Sequence, residues 1–211
     1  MRLFKKLLSR IKWAIRPVQT IGKNNNVYID CKRCGHVEVR INGNNNTVKI
    51  EKDVLLYNLR IAITGNNNKV VISRRSRIYN LKLNISGNDS KFIFGENAGV
   101  READVIIWEN QSVVIGKDAM LSYGINIRTS DSHSIYDEET GERINTAKSV
   151  HVGEHTWLAQ NVTLLKGADI GAHSIVGFGS ICSKSYPDHC IVVGIPGKVI
   201  KRNVKWSRKL K

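Results

Sequence analysis

Three stretches of the chain read Ile41-Asn-Gly-Asn-Asn-Asn-Thr-Val-Lys-Ile50, Ile63-Thr-Gly-Asn-Asn-Asn-Lys-Val-Val-Ile72 and Ile85-Ser-Gly-Asn-Asp-Ser-Lys-Phe-Ile-Phe94. The three copies recur at a spacing of 22 residues, with an earlier copy at residues 22–29 and a degraded one at 107–115. Each copy is a short apolar strand, a Gly/Asn corner and a second strand. Because one such unit cannot bury its apolar face alone, the units must stack. The first half of the chain is therefore predicted to be a β-solenoid.

The Asn triplets at the corners allow two interpretations. Asn tolerates the left-handed conformation that sharp corners require, and stacked Asn side chains can hold neighbouring coils in register. The alternative is an exposed Asn array that binds sugar or ice. We favour the structural role.

A period of six replaces the longer repeat in the second half of the chain. Its apolar positions are Val152, Leu158, Leu164, Ile170 and Val176, and a shorter series precedes them at Ile115, Leu121 and Ile127. Three hexads make one triangular coil, which is the pattern of a hexapeptide-repeat parallel β-helix. Residues 128–149 break the period and are predicted to form a protruding loop. The fold class is all-β, with a β-helix over residues 19–203.

Composition limits the class of partner and the compartment. Lys and Arg exceed Asp and Glu to give a net charge of +15, so an anionic partner is expected. There is no apolar run long enough to span a membrane and no cleavable leader, which favours a cytoplasmic protein. The four cysteines are predicted to be free thiols that act as small apolar side chains. A half zinc site at Cys31, Cys34 and His36 is the alternative, but no second ligand pair follows, and we expect no metal.

The two ends of the chain are basic. Residues 1–18 are predicted to form an amphipathic helix, with apolar residues at helical spacing and bases opposite. Residues 1–16 either contact a membrane surface, as a peripheral protein at the inner membrane would, or cap the first coil. The C-terminal tail, residues 204–211, is ambiguous in the same way.

Residues 90–203 resemble a known family. The matching runs are Ile127-Arg-Thr-Ser-Asp-Ser-His133-Ser-Ile-Tyr-Asp137, Thr140-Gly-Glu-Arg-Ile-Asn145, Val152-Gly-Glu-His-Thr-Trp157-Leu-Ala-Gln-Asn161, Val176-Gly-Phe-Gly-Ser180 and Gly194-Ile-Pro-Gly-Lys-Val-Ile200. Together they resemble the left-handed β-helix acyltransferases that use acetyl-CoA, especially the sugar and capsule O-acetyltransferase branch. The resemblance implies a left-handed helix, acetyl-CoA as donor, and a homotrimer with sites between subunits.

Three residues are the catalytic candidates. His133 lies in the one long loop, and a neutral imidazole suits the removal of a hydroxyl proton near neutral pH. The matching histidine of the family is the general base. Asp131 either orients the ring of His133, contacts the substrate, or is a solvated carboxylate. Trp157 begins the coil after the loop, and in the sialic-acid-polymer O-acetyltransferases that this segment resembles, a tryptophan at this position lies beside the base.

The resemblance also implies positions for the cofactor. A groove between coils would be lined, mainly through main chain, by Ala159, Gln160, Gly177 and Phe178, although Ala159 and Phe178 depart from the usual glycine and alanine. The positions near the cofactor phosphates are Ser183, Lys184, Lys198 and Lys201, and Lys166 is a further groove candidate. The acceptor candidates are Glu102, Asp104, Tyr123 and Asn126, of which the first two lie near the sugar-contacting position of related enzymes.

These patterns predict direct transfer of acetyl from acetyl-CoA to a hydroxyl of a capsule or lipopolysaccharide sugar, with no nucleic-acid partner. Two alternatives stay open. One is N-acetylation of an amino sugar, or acetylation of an antibiotic. The other is a solenoid that binds an anionic glycan without turnover.

Overall fold

The computed structural model describes residues 18–210, and these residues form a solenoid of β-strands without any helix. The amphipathic helix predicted for the N-terminus lies outside the described residues, as does Lys211. Within residues 18–210, no helix is present that could span a membrane.

Twelve strands precede the long loop. They are β1 (Gln19–Ile21), β2 (Asn26–Asn42), β3 (Thr47–Thr64), β4 (Lys69–Ile72), β5 (Arg77–Ile78), β6 (Leu81–Ser86), β7 (Lys91–Phe94), β8 (Gly99–Val100), β9 (Ala103–Trp108), β10 (Ser112–Ile115), β11 (Met120–Leu121) and β12 (Ile125–Arg128). β2 and β3 are long because they continue around two corners of a coil without a break.

Nine strands follow the loop. They are β13 (Val150–Val152), β14 (Trp157–Leu158), β15 (Thr163–Leu164), β16 (Asp169–Ile170), β17 (Ile175–Val176), β18 (Ile181–Cys182), β19 (Ser185–Tyr186), β20 (Cys190–Val193) and β21 (Lys198–Arg202). β21 turns back and pairs antiparallel with β20, whereas the other pairings between these strands are parallel; an isolated antiparallel bridge joins Tyr136 and Arg143 within the loop.

Parallel pairing stacks the strands into three faces. Face A carries β4, β7, β10, β13, β16 and β19. Face B carries β5, β8, β11, β14, β17 and β20. Face C carries β6, β9, β12, β15 and β18, and segments of β2 and β3 extend all three faces toward the N-terminus. This arrangement confirms the predicted parallel β-helix.

The core is a column of stacked apolar side chains. Residues alternate between interior and surface along each strand, and the hexad positions from Ile115 to Val176 are at most 2% exposed. Burial of an Ile, Val or Leu side chain stabilises the fold by roughly 1.5–3 kcal/mol. The solenoid is therefore held together by its continuous interior.

The Asn triplets form ladders between coils. Asn68 is buried and donates from its backbone N and its Nδ2 to Asn46 Oδ1, at 2.9 and 3.0 Å. Asn45 and Asn67 hold the left-handed corner, at φ of 57° and 59°. Gly43 at the same corner also has positive φ, and a Cβ there would overlap the carbonyl of Gly65. The triplets therefore have the structural role that the sequence predicts.

Coil length changes at the loop. Hydrogen-bonded partners are 22 residues apart before it, 37 apart across it and 18 apart after it. The extra residues lie in the segment between β12 and β13, residues 129–149. The structure therefore has its long loop at the place where the hexad period breaks, and β12 includes Arg128.

The cysteines differ from the prediction. Cys31 and Cys34 are joined by a disulfide, with their Cα atoms 5.9 Å apart, so the prediction of free thiols is wrong for this pair. The two cysteines sit where β2 rounds a corner, and both pack against the core. Cys182 and Cys190 are free and buried, as predicted. Burial raises the pKa of the Cys182 thiol to about 11.

Candidate active site

The loop leaves the solenoid at the end of face C and returns to it on face A. Its neck is closed by Thr129, whose hydroxyl accepts from the Trp108 N at 2.9 Å and donates to the Trp108 O at 3.1 Å. Lys148 N donates to Thr129 O at 3.0 Å on the returning side. The two ends of the loop are thus joined to each other and to the preceding coil.

Asn145 organises the interior of the loop. Only 6% of this residue is exposed. Its Nδ2 donates to the backbone O of His133 at 2.8 Å and to Asp131 Oδ2 at 2.9 Å, and its Oδ1 accepts from Ile135 N at 2.7 Å. One buried amide therefore fixes the backbone on both sides of His133.

A bidentate ion pair joins the loop to the solenoid. Arg143 donates from Nη1 to Glu109 Oε2 at 2.6 Å and from Nη2 to Glu109 Oε1 at 2.9 Å. The hydroxyl of Ser130 also donates to Glu109. The Arg143 hydrogen bonds first, and that of Ser130 second, lower the pKa of Glu109 below its ordinary value. The planar fork fixes orientation as well as distance, so the loop is held in one position.

Asp131 and Lys166 pair with each other. Lys166 donates to the Asp131 carboxylate and, at 3.0 Å, to the backbone O of Asn145. The bonds from Lys166 and then Asn145 lower the pKa of Asp131. Both sequence predictions need correction here. Asp131 is held by Lys166 and Asn145 and does not orient the His133 ring, and Lys166 is bound to the base of the loop rather than free in a cofactor groove.

The imidazole of His133 is exposed. Among residues 18–210 it has no hydrogen-bond or stacking partner. Its backbone is fixed by Asn145 while its ring nitrogens stay open to a ligand. This combination of a fixed main chain and an unoccupied ring suits a base that must meet a substrate hydroxyl.

Trp157 lies on β14, on face B, with its side chain turned outward. Its ring centroid is 6.0 Å from that of Trp206, at an interplanar angle of 45°. In the described part of the chain, no contact joins the rings of Trp157 and His133. One copy of the chain therefore does not bring the two predicted catalytic side chains together.

The predicted groove residues lie on neighbouring coils at the corner after face B. The N–H groups of Ala159 and Gly177 donate to Val176 O and Val192 O at 2.9 and 2.8 Å. These two N–H groups are therefore already used between coils, so main-chain contact with a cofactor at Ala159 and Gly177 would have to involve their carbonyl groups. Gln160 and Phe178 are exposed, with 68% of Phe178 accessible, so their side chains are open to a ligand in this groove.

The basic candidates occupy the C-terminal end of the solenoid. Ser183 and Lys184 follow β18, and Lys198 and Lys201 lie on β21; all four are exposed. Within residues 18–210, none of the three lysines has an acidic partner. Unpaired cations of this kind suit phosphate groups.

Three of the acceptor candidates lie on or beside face C. Asp104 on β9 is in register with Asn126 on β12, and the Glu102 carboxylate accepts from Asn80 Nδ2 at 3.3 Å. Tyr123 is half exposed at the corner before β12. β12 ends at Arg128, directly before the loop, and Arg128 Nη2 lies 3.9 Å from Asp104 Oδ1, so Asp104 and Asn126 are the candidates near the base of the loop that carries His133.

The sequence argument missed the residues that hold the loop. Glu109 lies in a degraded repeat and gave no signal. Arg143 and Asn145 are in the matched motif, but their roles depend on partners 34 and 12 to 14 residues away. The described residues contain no cluster of acidic, His or Cys side chains suited to a metal.

Comparison with known proteins gives long matches. The chain is 34% identical over 193 residues to the polysialic acid O-acetyltransferase of Neisseria meningitidis, covering 90% of this chain and 79% of that protein. It is 35% identical over 103 residues to the polysialic acid O-acetyltransferase of Escherichia coli O1:K1, covering 49% of this chain and 34% of that one. No protein-family model matches the chain.

Two solved structures are similar along nearly the whole chain. The polysialic acid O-acetyltransferase OatWY superposes with a TM-score of 0.87 at 33% identity, over 93% of both chains. The polySia-specific acetyltransferase NeuO superposes with a TM-score of 0.84 at 34% identity, over 92% of this chain and 89% of that one.

Proposed function

The chain belongs to the left-handed β-helix acetyltransferases, in the branch of the polysialic acid O-acetyltransferases, and from this membership we propose that it uses His133 to transfer acetyl from acetyl-CoA to a hydroxyl of an acidic surface glycan. It is an O-acetyltransferase of a bacterial surface glycan. The observation that carries the assignment to His133 is its free imidazole on a backbone fixed by Asn145.

The proposed reaction is a direct transfer. Acetyl-CoA supplies an acyl group activated as a thioester. The imidazole of His133 takes the proton of the acceptor hydroxyl as the acyl C–O bond forms and the C–S bond breaks, and the proton then goes to the departing thiolate. An alcohol attacks a thioester poorly without such a base.

The residues at the C-terminal end of the solenoid fit the donor. Lys184, Lys198 and Lys201 are exposed cations without acidic partners among the described residues, and the donor carries phosphates. The exposed ring of Phe178 and the side chain of Gln160 flank the groove. We assign the phosphate end of the donor to these lysines.

The separation of His133 from Trp157 supports an assembly. Both residues are expected at the acceptor, yet within one chain His133 is in the loop between faces C and A, whereas Trp157 is on face B. We assign them to sites between subunits of a homotrimer, where the loop of one copy meets face B of the next. We place the enzyme in the cytoplasm, with residues 1–16 either at the inner membrane or over the first coil.

The test is acetyl transfer by the purified protein. With acetyl-CoA and polysialic acid, we expect acceptor-dependent release of free thiol and an O-acetyl ester in the product, both measurable by thiol titration and NMR. An amide formed on an amino sugar would instead establish N-acetylation. Glycan binding without thiol release across a panel of capsular glycans would show a binding protein and contradict the proposal.

A further inference from the structure

Face C carries a concave surface far from the loop, on the first coils of the solenoid. Its cavity of about 380 Å³ is lined by Glu38, Arg40, Arg60, Ala62, Lys82 and Asn84, which belong to β2, β3 and β6. We call these six residues the face C pocket. A volume of this size lies within the range of small-ligand sites, which is roughly 300–1,000 Å³.

The concavity arises from the register of the strands. Arg40, Ala62 and Asn84 are consecutive in one outward row, because Arg40 pairs with Ala62 and Ala62 with Asn84. The methyl group of Ala62 is short, whereas the side chains above and below it are long. The surface is therefore recessed at Ala62, between the guanidinium of Arg40 and the side-chain amide of Asn84.

The pocket carries an excess of positive charge. Three cations meet one carboxylate, Glu38, which accepts from Arg40 Nη2 at 2.6 Å and lies 3.9 Å from Arg60 Nε. The nearest acid to Lys82 is Asp104 of the next coil, at 3.7 Å. The side chains of the three cations are 59–65% exposed, so an incoming anion can reach them without displacing buried contacts.

Hydrogen-bonding groups suited to a sugar accompany the charges. Asn58 and Asn80 form an amide ladder in the adjoining row, with Asn58 Nδ2 donating to Asn80 Oδ1 at 2.8 Å. The side-chain amide of Asn84 has no partner among the described residues. Cations for a carboxylate, together with amide and carboxylate groups for hydroxyls, are the chemistry that an acidic sugar residue requires.

The pocket is aligned with the candidate active site. Arg60, Lys82, Asp104 and Asn126 are consecutive in a single row of face C. Adjacent strands are about 4.8 Å apart, so three steps along this row cover about 14 Å. Asn126 lies on β12, and the loop with His133 begins directly after that strand, while the row itself continues to Thr163 on β15.

We infer that the face C pocket is a second acceptor subsite. It binds one acidic sugar residue of a glycan chain while a distant residue of the same chain is acetylated at the loop. The inference rests on the proposed function and adds to it a second place, away from the loop, at which the glycan chain is held. A chain held at two places along face C binds better than either contact alone allows, because the second contact is intramolecular.

The test compares long and short acceptors. In the double variant Arg60→Gln and Lys82→Gln, the KM for size-fractionated long polysialic acid should rise about tenfold, since two charge-assisted contacts are lost. The KM for a short sialic acid oligomer and the KM for acetyl-CoA should stay within twofold. The matched control is Lys69→Gln with Lys91→Gln, which removes the same charge from exposed positions on face A of the same coils.

Binding measurements separate this inference from the proposed function. Calorimetry with the His133→Ala enzyme measures its affinity for long polysialic acid without turnover. The Arg60→Gln and Lys82→Gln double variant in that background should bind the polymer about tenfold more weakly. An equal loss of affinity in the face A control, or equally strong competition by poly-glutamate for binding of polysialic acid, would show that general charge attraction accounts for the binding. Either result would overturn the inference. Absence of turnover with intact, pocket-dependent binding would instead overturn only the proposed function.

Discussion

The indole of Trp206 stacks on the imidazole of His155, with ring centroids 4.2 Å apart and planes 12° apart. Trp206 Nε1 also donates to His155 O at 2.7 Å, and His155 Nδ1 lies 2.6 Å from Asp118 Oδ2. Arg208 donates to the backbone O of Asp118 at 2.7 Å. Burial tends to raise the pKa of Asp118, but His155 and Arg208 outweigh it and lower the pKa. The C-terminal segment, residues 204–210, is therefore bound along one corner of the solenoid, and we call it the strap.

Removal of the strap's aromatic anchor should destabilise the last coils. Trp206→Ala deletes a half-buried indole and its hydrogen bond, so the free energy of unfolding should fall by about 2 kcal/mol. Thermal or urea unfolding measures the loss. Lys205→Ala, at an exposed neighbouring position, is the control and should change stability by less than about 0.5 kcal/mol. Equal stability of Trp206→Ala and the control would show that the strap does not stabilise the solenoid.

The ion pair of Glu109 with Arg143 should give a defined pH dependence. The pKa of Glu109 is lowered in the folded protein, so its contribution to stability is full above the ordinary Glu pKa and is lost as the pH falls through the lowered value. Wild type should therefore have a higher Tm than Glu109→Gln at pH 6–7, and the two should converge below about pH 4. A Tm difference that persists undiminished at pH 3 would exclude this ion pair as its cause.

The fold could be predicted because its signals are local and repeated. The Asn corners and the hexad positions recur many times, and each copy indicates which side chains point into the solenoid and which point outward. The site is different, since Asn145 and Lys166 act through partners set by the path of an irregular loop. The sequence suggested Asp131 as a partner of His133 from a two-residue spacing, but the loop turns its carboxylate toward Lys166. The Trp206 strap was left undecided because no periodicity specifies its position.

Loss of two lysines should weaken donor binding. Lys184 and Lys198 are unpaired exposed cations at the proposed phosphate end, and Lys184→Ala with Lys198→Ala should raise the KM for acetyl-CoA about three- to tenfold at low salt. The salt dependence of that KM should become shallower. Lys32→Ala with Lys52→Ala, which removes two exposed charges from the opposite end of the solenoid, is the control. An unchanged KM at low salt would contradict the assignment.

Truncation of Trp157 should affect the acceptor more than the donor. Its ring faces outward on face B, where an aromatic surface can pack on a sugar. Trp157→Ala should raise the acceptor KM or lower kcat at least about tenfold, with the KM for acetyl-CoA changed less than twofold. Trp157→Phe keeps an aromatic face and should recover part of the activity. A selective loss of acetyl-CoA binding would place Trp157 in the donor groove instead.

Removal of the His133 imidazole should abolish most of the turnover without disturbing the fold. The ring has no partner among the described residues, so His133→Ala breaks no hydrogen bond of the loop and should leave Tm within about 1 °C. General-base catalysis is worth about 10²- to 10⁴-fold, and kcat should fall by that factor while the KM for acetyl-CoA stays near the wild-type value. His151→Ala is the matched control, since His151 is also exposed and lies on β13, where its Nδ1 is 2.9 Å from Asp169 Oδ1. That variant should keep kcat within about threefold. Near-full turnover by His133→Ala on a polysialic acid acceptor would show that another group removes the hydroxyl proton, even though the fold and the family would stand.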